Sequence, residues 1–481
     1  MIEKRDFYIN GAWVKPLAAR DWQVIDPSTE EPCAVISLGS EADTNAAVAA
    51  AKAAFPKWAA TPPAERRAII ARILDQYEAR KQQLAQAISM EMGAPIDFAL
   101  NEQAACLPWH TTNFLAAFDR MDWIRPLGDH APGAMIALEP IGVVGLITPW
   151  NFPIAIPVWK LAPALIYGNT VVLKLGYEAP RTGLHIAEAF AEAGLPAGVL
   201  NVVIGRGSQV GTPLIRHPKV RAISFTGSVA TGEKVRDEAT ALGKRVQLEL
   251  GGHNPLIVSA AADLDRAVEA AYAGAFWSAG QKCTATRRIL VQDDVYDVFR
   301  EKLLARVAAG KVGDPGDPAT EVGPVVNEGP FEEILAAIER GKAEGGSVVA
   351  GGVRADDTGY LIAPTVFEDV ADDAFLSCEE VFGPVTSLYR FSTLDEALAR
   401  ANAVEFGLSA AIFTRSLHAT QRFANELQAG ILHVNSQTAG ADVHVPFGGL
   451  KSSAWGPHEQ GRAAMEFYTE TVTVYQDAPL D

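Results

Sequence analysis

Short apolar stretches alternate with helical patterns along most of this chain. These short, mainly apolar runs are at 141–147, 170–174, 199–204, 222–226, 255–258, 288–291 and 410–413. Polar segments with apolar positions at helical spacing, such as 184–193, lie between them. Continuous apolar strands separated by helices are typical of a parallel sheet that is covered on both faces. The alternation therefore predicts two α/β domains in tandem.

The two ends of the chain have a different pattern. Asn10-Gly11 separates two short apolar stretches, which predicts a β-hairpin. Residues 41–120 have apolar positions at helical spacing, with a break at Pro62-Pro63. At the other end, polar and apolar residues alternate over 470–475, which predicts a strand. Because this strand is terminal, it either closes a sheet edge or pairs with another subunit.

Length and charge exclude several classes of protein. A chain of 481 residues is too long for one core, so two or three domains are expected. Its net charge of −17 argues against binding to nucleic acid or to an anionic membrane. No run of about 18 apolar residues appears, and the charged N-terminus is not followed by an apolar region typical of a signal peptide. We therefore predict neither a membrane span nor a signal peptide.

The four cysteines are widely separated, at Cys33, Cys106, Cys283 and Cys378. None belongs to a CxxC pair or to a zinc-like cluster, so no metal site is predicted. Free thiols in a reduced, cytoplasmic protein are the simplest interpretation.

Cys283 lies in a short polar segment, Ala-Gly-Gln-Lys-Cys-Thr, at 279–284. Glu249 and Asn151 lie upstream in the glycine-rich and proline-rich segments ELGG and PWNFP. A thiol nucleophile, a carboxylate that activates water and an amide donor are the groups needed for acyl chemistry through a thioester. Alternatively, Cys283 is a buried small hydrophobe, as most free cysteines are.

Two glycine-containing turns are candidates for holding a nucleotide. Residues 225–232 follow a strand and lead into a helix, where backbone N–H groups and the helix dipole favour phosphate. Residues 205–211 approach the GxGxxG spacing but carry one extra residue. Lys174 ends a parallel strand, where ligands bind in such sheets. An ordinary capped turn and a solvated lysine remain the alternatives.

Together these residues resemble the aldehyde dehydrogenase superfamily over essentially the whole chain. The matching segments are 148–153 (TPWNFP), 225–228 (FTGS), 249–252 (ELGG), 280–283 (GQKC), 380–384 (EVFGP) and 446–451 (PFGGLK). A segment in the C-terminal part of the chain, 456–462, is also similar to the family. Within the superfamily the chain resembles bacterial semialdehyde and aromatic aldehyde dehydrogenases.

The resemblance implies a fold and an assembly. The expected architecture is a Rossmann-like cofactor domain at 1–121 and 142–250, with a catalytic α/β domain at 251–445. A small β oligomerisation arm at 122–141 and 462–481 completes it. Members of the family are homodimers or homotetramers, so a homo-oligomer acting on a small aldehyde is expected.

The resemblance also implies residue roles. Cys283 is similar to the nucleophile, Glu249 to the general base and Asn151 to the oxyanion donor. The implied cofactor-binding residues are Trp150, Lys174, Tyr177, Gly207, Gly211, Phe225, Gly227, Ser228, Glu380 and Phe382. Because the acyl-transferring relatives usually lack a glutamate at the position of Glu249, its carboxylate predicts hydrolysis of the thioester to the free acid.

One departure from the family bears on the cofactor. Tyr177 occupies the place of a glutamate that usually holds the adenosine ribose hydroxyls. The carboxylate of that glutamate would repel a 2′-phosphate. Arg181 either pairs with such a phosphate or is a surface helix charge. Glu178 is an alternative ribose ligand if it turns inward. Both NAD and NADP therefore remain open as cofactors.

The candidate substrate residues are Ile156, Trp159, Trp109, His444 and Phe447, with Cys106 and His110 near Trp109 in sequence. Ile156 and Trp159 match family positions that line the aldehyde channel, and because both are apolar we predict an apolar or aromatic aldehyde, with an acid semialdehyde as the alternative. Two other classes remain possible: a cysteine esterase or hydrolase that uses Cys283 with His253, and a non-catalytic relative. Aldehyde-dependent absorbance at 340 nm separates an oxidoreductase from an esterase.

Overall fold

The computed structural model describes residues 1–131 and 133–476. Its strands are β1 Ile2–Lys4, β2 Phe7–Ile9, β3 Ala12–Val14, β4 Asp21–Asp26, β5 Glu31–Ser37, β6 Ile124–Pro126, β7 Ala134–Pro140, β8 Val143–Ile147, β9 Thr170–Leu175, β10 Leu200–Ile204, β11 Val220–Thr226, β12 Arg245–Glu249, β13 Asn254–Val258, β14 Thr286–Gln292, β15 Ser347–Ala350, β16 Thr365–Glu368, β17 Val385–Phe391, β18 Phe406–Gly407, β19 Ser409–Phe413, β20 Ile431–Val434, β21 Leu450–Lys451, β22 Ala454–Trp455 and β23 Thr469–Tyr475. All seven apolar runs predicted as strands are strands.

The helices cover the sheets and fill the connections between strands. They are α1 Glu41–Ala59, α2 Pro63–Ala71, α3 Ile73–Met92, α4 Ile96–Phe98, α5 Cys106–Phe118, α6 Ala155–Ile166, α7 Pro180–Glu192, α8 Thr212–Arg216, α9 Val229–Ala241, α10 Leu264–Phe276, α11 Asp293–Ala309, α12 Glu328–Ala343, α13 Phe375–Cys378, α14 Leu394–Asn402, α15 Leu417–Glu426 and α16 Ala464–Tyr468. The break predicted at Pro62-Pro63 separates α1 from α2. No helix within the described residues is long and apolar enough to cross a membrane.

Two large sheets organise the chain. The first has eight strands in the order β22-β12-β11-β8-β9-β10-β2-β3, and β12, β11, β8, β9 and β10 are parallel. The second has seven strands in the order β15-β16-β17-β14-β13-β19-β20, parallel except for β15. Each sheet has its own hydrophobic core. The prediction of two α/β units is confirmed, although antiparallel strands extend both sheets.

The short β22 strand returns the chain to the first sheet after the second is complete. Its Ala454 pairs antiparallel with Glu249, the last residue of β12. The C-terminal part of the chain therefore lies beside the first sheet. The residue boundaries of the domains given above stay a prediction.

A separate three-stranded antiparallel sheet has the order β23-β7-β6. The predicted terminal strand is therefore real, and it pairs with β7 over its full length. Val472, Val474 and Tyr475 on β23 are exposed. Pro132 and 477–481, which belong to the predicted oligomerisation arm, lie outside the described residues.

The predicted N-terminal hairpin joins β2 to β3. Asn10 and Gly11 both have positive φ, 53° and 78°, as the two central residues of a tight primed turn require. The hairpin extends the first sheet, because Tyr8 pairs with Val202 of β10.

Candidate active site

Several of the predicted cofactor residues lie along one edge of the first sheet. Trp150 follows β8, Lys174 lies in β9 and Phe225 in β11, which are neighbouring parallel strands. Ligands bind at the carboxyl ends of strands in sheets of this kind. Gly207 and Gly211 bound one turn of π-helix after β10, and a Cβ at either would meet nothing within 4 Å. This edge of the sheet therefore has room for a ligand.

The turn after β11 needs its glycine. A Cβ at Gly227 would lie 2.5 Å from the ring of Phe225, so a side chain there would collide with the ring. The N–H of Gly227 donates to the carbonyl of Glu249 at 3.1 Å, which ties this turn to the end of β12. Ser228 then occupies the N-cap position of α9 without a side-chain capping hydrogen bond, so the first N–H groups of α9 can hold a phosphate.

Lys174 is nearly buried, with 8% of its surface exposed, and burial lowers the pKa of its ammonium group. The ammonium lies 5.9 Å from the ring centroid of Tyr177. Glu178 turns back over Gly176, where one of its carboxyl oxygens would lie 3.1 Å from a Cβ. Burial raises the pKa of Glu178, and Lys174 opposes that shift.

Arg181 is neither a free phosphate ligand nor a surface charge, the two roles predicted from the sequence. Its side chain is buried, and its Nε lies 3.1 Å from Oε1 of Glu91. Its backbone N–H also donates to Glu91, at 3.1 Å. Both predictions for Arg181, a phosphate ligand and a surface charge, are wrong, because helical spacing does not reveal an acidic partner ninety positions away in the chain.

Glu380 and Phe382 approach the same edge from the second half of the chain. The ring of Phe382 meets the ring of Trp150 edge-on, with 5.9 Å between centroids. Oε1 of Glu380 accepts a hydrogen bond from the N–H of Gly252 at 3.1 Å. Burial raises the pKa of Glu380 to about 7, and Arg287 opposes that shift.

Cys283 follows an unusual backbone turn. Ser278, Ala279 and Gly280 have φ of 58°, 51° and 65°, a left-handed stretch that is costly for residues with a Cβ. A Cβ at Gly280 would lie 2.2 Å from the carbonyl oxygen of Gly383, so glycine alone fits. Arg287 donates to the carbonyls of both glycines at 2.6 Å and holds this turn in place.

Gln281 ties the turn to its surroundings and to Asn151. Its side-chain NH₂ lies 3.2 Å from the carbonyl of Ser278 and 3.3 Å from that of Pro324, and its Oε1 accepts from the N–H of Val326. The carboxamide of Asn151 donates to the Gln281 carbonyl at 3.0 Å. One N–H of the Asn151 side chain is therefore bonded to the residue two positions before Cys283. This hydrogen bond orients the carboxamide.

The segment that connects β12 to β13 runs directly beside the cysteine. A Cβ at Gly252 would lie 2.3 Å from the carbonyl oxygen of Cys283. The side-chain NH₂ of Asn254 donates to the carbonyls of Cys283 and Ala285, both at 2.8 Å. These contacts bring the segment that begins at Glu249 against the loop that carries the thiol.

Glu249 is almost fully buried, with 2% of its surface exposed. Neither carboxyl oxygen has a hydrogen-bond partner within the described part of the chain. Burial raises the pKa of Glu249 well above its usual value, Glu459 raises it further, and Lys160 opposes them. A Cβ at Gly448 would lie 2.9 Å from Oε1, so a side chain at that position would crowd the carboxyl group.

A buried polar network next to Glu249 was not predicted from the sequence. The Lys160 ammonium donates to Oε1 of Glu459, and to the Ser224 hydroxyl at 2.7 Å. Ser224 also contacts the amide oxygen of Gln247 at 3.0 Å. Lys160 is the one charged residue in α6, whose twelve residues are all buried. Because a buried charge is rarely left unpaired, a lysine in so apolar a helix indicates an acidic partner inside the protein.

Aromatic rings line the path toward the thiol. Cys283 packs against a small cluster formed by Leu408, Ile431 and Phe447, and the ring centroid of Trp159 lies 5.2 Å from that of Phe447. His110 meets Trp159 edge-on at 5.3 Å, and burial lowers the pKa of His110 to about 3, so the imidazole is neutral. Ile156 is buried one turn before Trp159 in α6.

The other two predicted substrate residues lie further out. Trp109 is 46% exposed, and its neighbour His110 makes the contact with Trp159. His444 is exposed, and its carbonyl oxygen would lie 2.5 Å from a Cβ at Gly461. Substrate roles for Trp109 and His444 stay predictions.

The site does not favour the thiolate of Cys283. Burial raises the pKa of the thiol to about 12, and the carboxylates of Glu380 and Glu249 contribute in the same direction. Lys282 offers little help, because its ammonium donates to the carbonyl of Ala273 at 2.9 Å. Burial lowers the pKa of Lys282 to about 7.

The esterase alternative finds no support in the position of His253. Its Nε2 lies 3.0 Å from the carbonyl oxygen of Ser377, and its ring packs near Phe406. Burial lowers the pKa of the imidazole well below its usual value. No hydrogen bond joins His253 to Cys283 within the described residues.

The model of the aldehyde dehydrogenase family matches residues 13–474. The chain belongs to the aldehyde dehydrogenase family. It is 43% identical to an α-ketoglutarate semialdehyde dehydrogenase from Haloferax volcanii, over 97% of this chain and 98% of the relative. Its fold matches an aldehyde dehydrogenase from Bartonella henselae with a TM-score of 0.96 and 40% identity, over 99% of this chain and 100% of the other.

An aldehyde dehydrogenase from Pseudomonas syringae, in a mutant form complexed with NAD+ and octanal, matches with a TM-score of 0.95 and 38% identity. That alignment covers 99% of this chain and 98% of the other. The family relationship confirms the fold class, the NAD(P)-dependent oxidation of an aldehyde and the resemblance noted from the motifs. The open sheet edge at Gly207 and Gly211 and the buried ammonium of Lys174 fit such a dinucleotide.

The raised pKa of Cys283 has a measurable consequence. Without cofactor, the rate of alkylation of Cys283 by iodoacetamide should rise about tenfold per pH unit from pH ~7 to ~10, because the thiolate fraction grows tenfold per unit below the pKa. Mass spectrometry of the Cys283 peptide measures this rate, and Cys283→Ala is the blank. A plateau near pH ~9 would mean a thiol of ordinary pKa.

The buried ion pair predicts a large effect on stability. Lys160→Met should lower the free energy of unfolding by about 3–5 kcal/mol, because it leaves Glu459 buried without its cation. Adding Glu459→Gln to that variant should recover part of the loss. Thermal unfolding followed by circular dichroism measures both variants. Lys234→Met, at an exposed position in α9, is the matched control, and equal shifts for the two lysine variants would contradict the prediction.

Proposed function

We propose that Cys283 is the nucleophile of this aldehyde dehydrogenase, that Asn151 holds the oxyanion and that Glu249 activates water. The observation that carries this proposal is the convergence of three distant segments on one loop. Asn151 donates to the Gln281 carbonyl, Gly252 lies against the Cys283 carbonyl, and Glu249 ends the strand that leads to Gly252.

In the first step the Cys283 thiol gives its proton to water, and the thiolate attacks the aldehyde carbon and forms a thiohemiacetal. The Asn151 carboxamide and the backbone N–H of Cys283 stabilise the negative oxygen, and one such donor contributes about 3–4 kcal/mol to the rate. The oxidised nicotinamide supplies the hydride acceptor. Loss of hydride leaves a thioester on Cys283.

Glu249 has the properties needed for the second step. Its carboxyl group is buried and free of hydrogen bonds within the described chain, so water is an available partner. Its raised pKa makes the carboxylate a stronger base than an exposed glutamate. Glu249 takes a proton from water as the water attacks the thioester, which releases the carboxylic acid and restores the thiol.

Trp150, Lys174, Tyr177, Gly207, Gly211, Phe225, Gly227, Ser228, Glu380 and Phe382 are proposed to hold the cofactor. The support is the position of the first eight at the carboxyl ends of strands of the first sheet, together with the edge-on contact of Trp150 with Phe382 and the hydrogen bond from Gly252 to Glu380. That contact joins the first sheet to the segment before β17. A dinucleotide there would lie beside the Cys283 loop.

We propose an apolar or aromatic aldehyde as the substrate. Trp159, Phe447 and His110 form a continuous aromatic wall beside Cys283, and His110 is uncharged. A wall of this kind favours apolar groups. An acid semialdehyde is the second candidate, because the relatives at 39% and 43% identity are semialdehyde dehydrogenases of α-ketoglutarate.

The exposed outer face of β23 supports a homodimer or homotetramer. Val472, Val474 and Tyr475 present apolar side chains on a strand whose other edge has no partner among residues 1–131 and 133–476. The four cysteines are all free thiols, which supports a reducing, cytoplasmic location.

The roles of Cys283 and Glu249 separate in rapid kinetics. Cys283→Ala should abolish both the burst of reduced cofactor and steady turnover. Glu249→Gln should keep a full burst but slow steady turnover by about 10²–10⁴-fold, because only the deacylation step loses its base. Stopped-flow absorbance at 340 nm measures both phases. Turnover by Cys283→Ala would reject the nucleophile, and a lost burst in Glu249→Gln would show that Glu249 also deprotonates the thiol.

The substrate class is tested with hexanal, benzaldehyde, succinate semialdehyde and α-ketoglutarate semialdehyde. We expect kcat/KM to be about 10-fold or more higher for hexanal or benzaldehyde than for either semialdehyde. Trp159→Ala should reduce kcat/KM for benzaldehyde more than for the semialdehydes, because it removes the aromatic wall. A preference of the same size for a semialdehyde would establish the second candidate instead.

A further inference from the structure

Asn151 lies on a segment that has no regular structure of its own. Residues 148–154 connect β8 to α6, and neither a helix nor a strand covers them. The position of such a segment depends on its tertiary contacts, because no helix or sheet pairing holds its backbone groups. The oxyanion role proposed for Asn151 requires a carboxamide that is already in place when charge develops. The contacts that anchor Asn151 therefore bear on the reaction.

Two glutamines hold Asn151 from its two ends. The side-chain carboxamide of Asn151 donates to the carbonyl of Gln281 at 3.0 Å. The backbone carbonyl of Asn151 accepts a hydrogen bond from Nε2 of Gln103 at 3.3 Å. Within the described residues, no other side chain donates to the backbone of residues 149–153. Gln103 is thus the side-chain anchor for the backbone of this segment.

Gln103 reaches Asn151 from a turn of π-helix. This turn, Ala99–Ala104, lies between α4 and α5, and its buried members are Ala99, Gln103 and Ala104. Turns of π-helix are rare and occur frequently at functional sites. Gln103 is the one polar residue among the three buried members, and only 1% of its surface is exposed. Because buried polar groups are normally hydrogen-bonded, such a residue needs a partner inside the protein.

The hydrogen bond to Asn151 is the main polar contact of the Gln103 side chain. Its Nε2 also lies 3.7 Å from Sδ of Met92, but a thioether is a weak acceptor. Its Oε1 is buried and has no hydrogen-bond partner within the described part of the chain. Asn151 is itself only 5% exposed, so loss of this donor would remove a partner from a buried carbonyl.

We propose that Gln103 is a positioning residue for the reaction, which fixes the backbone of Asn151 so that its carboxamide meets the oxyanion. This inference rests on the proposed oxyanion role of Asn151 and adds a residue that acts through it. Gln281 sets the direction of the carboxamide, and Gln103 sets the place of the backbone that carries it. A misplacement of ~1 Å in a group that acts on the transition state can cost about 100-fold in rate.

The test compares Gln103→Met with wild type in the first turnover. Methionine has nearly the length of glutamine but has no N–H to donate, so it fills the space without holding the carbonyl. Stopped-flow absorbance at 340 nm measures the first turnover with NAD+ and the aldehyde that wild type oxidises fastest. Gln103→Met should slow this step by about 10-fold at saturating aldehyde. The Kd of NAD+ and the aldehyde concentration for the half-maximal rate should change by less than about twofold.

A double variant separates positioning from a general effect on packing. Asn151→Ala should slow the first turnover by about 10²–10³-fold, as the loss of an oxyanion donor does. Once the carboxamide is gone, adding Gln103→Met should slow this step by less than about twofold more, because the two residues act as one unit. Gln83→Met, at an exposed position in α3, is the matched control and should leave the rate unchanged.

A wild-type rate in Gln103→Met would overturn the proposal, and so would a 10-fold loss that persists in the Asn151→Ala background. The latter result would mean that Gln103 affects the site without acting through Asn151. Both results leave the proposed function intact, provided that Asn151→Ala is slow. A fast Asn151→Ala variant would instead reject the oxyanion role and this inference with it. Equal melting temperatures and an unchanged rate of Cys283 alkylation would show that the variants are folded.

Discussion

The close approach of Gly252 to the carbonyl of Cys283 is the constraint on which the rest of the site depends. A side chain at Gly252 would overlap that carbonyl, so the segment between β12 and β13 and the cysteine loop can touch here only through glycine. Asn254 then donates to the same carbonyl from the start of β13. Because β12 belongs to the first sheet and β13 to the second, the connection between the two sheets lies against the backbone of Cys283.

The buried charges around this contact follow from the same geometry. Glu249 is almost fully buried at a strand end, and its carboxyl group gains no hydrogen bond from the described chain. Lys160 and Glu459 lie beside it as a buried pair. Burying an unpaired carboxyl group costs stability, and an internal water bonded to it would offset that cost. The raised pKa that burial produces suits the proposed role of Glu249 as a base.

The aromatic wall and the proposed cofactor residues are separate sets of side chains. Trp159 packs against Phe447, whose cluster includes Cys283, while Trp150 meets Phe382. The wall residues come from α6 and from the segment before β21, whereas Trp150 follows β8 and Phe382 precedes β17. Under the proposed function, the aldehyde and the hydride acceptor would therefore contact different side chains.

The sequence by itself determined the seven apolar strands, the N-terminal hairpin and the residue types at Cys283, Glu249 and Asn151, because local periodicity and short motifs specify them. Only the tertiary structure decided that Arg181 pairs with Glu91, that Lys160 meets Glu459, and that His110 rather than Trp109 contacts Trp159. Those pairs join residues far apart in the chain or depend on which way a helix face turns. Such contacts arise from packing, which local sequence patterns do not record.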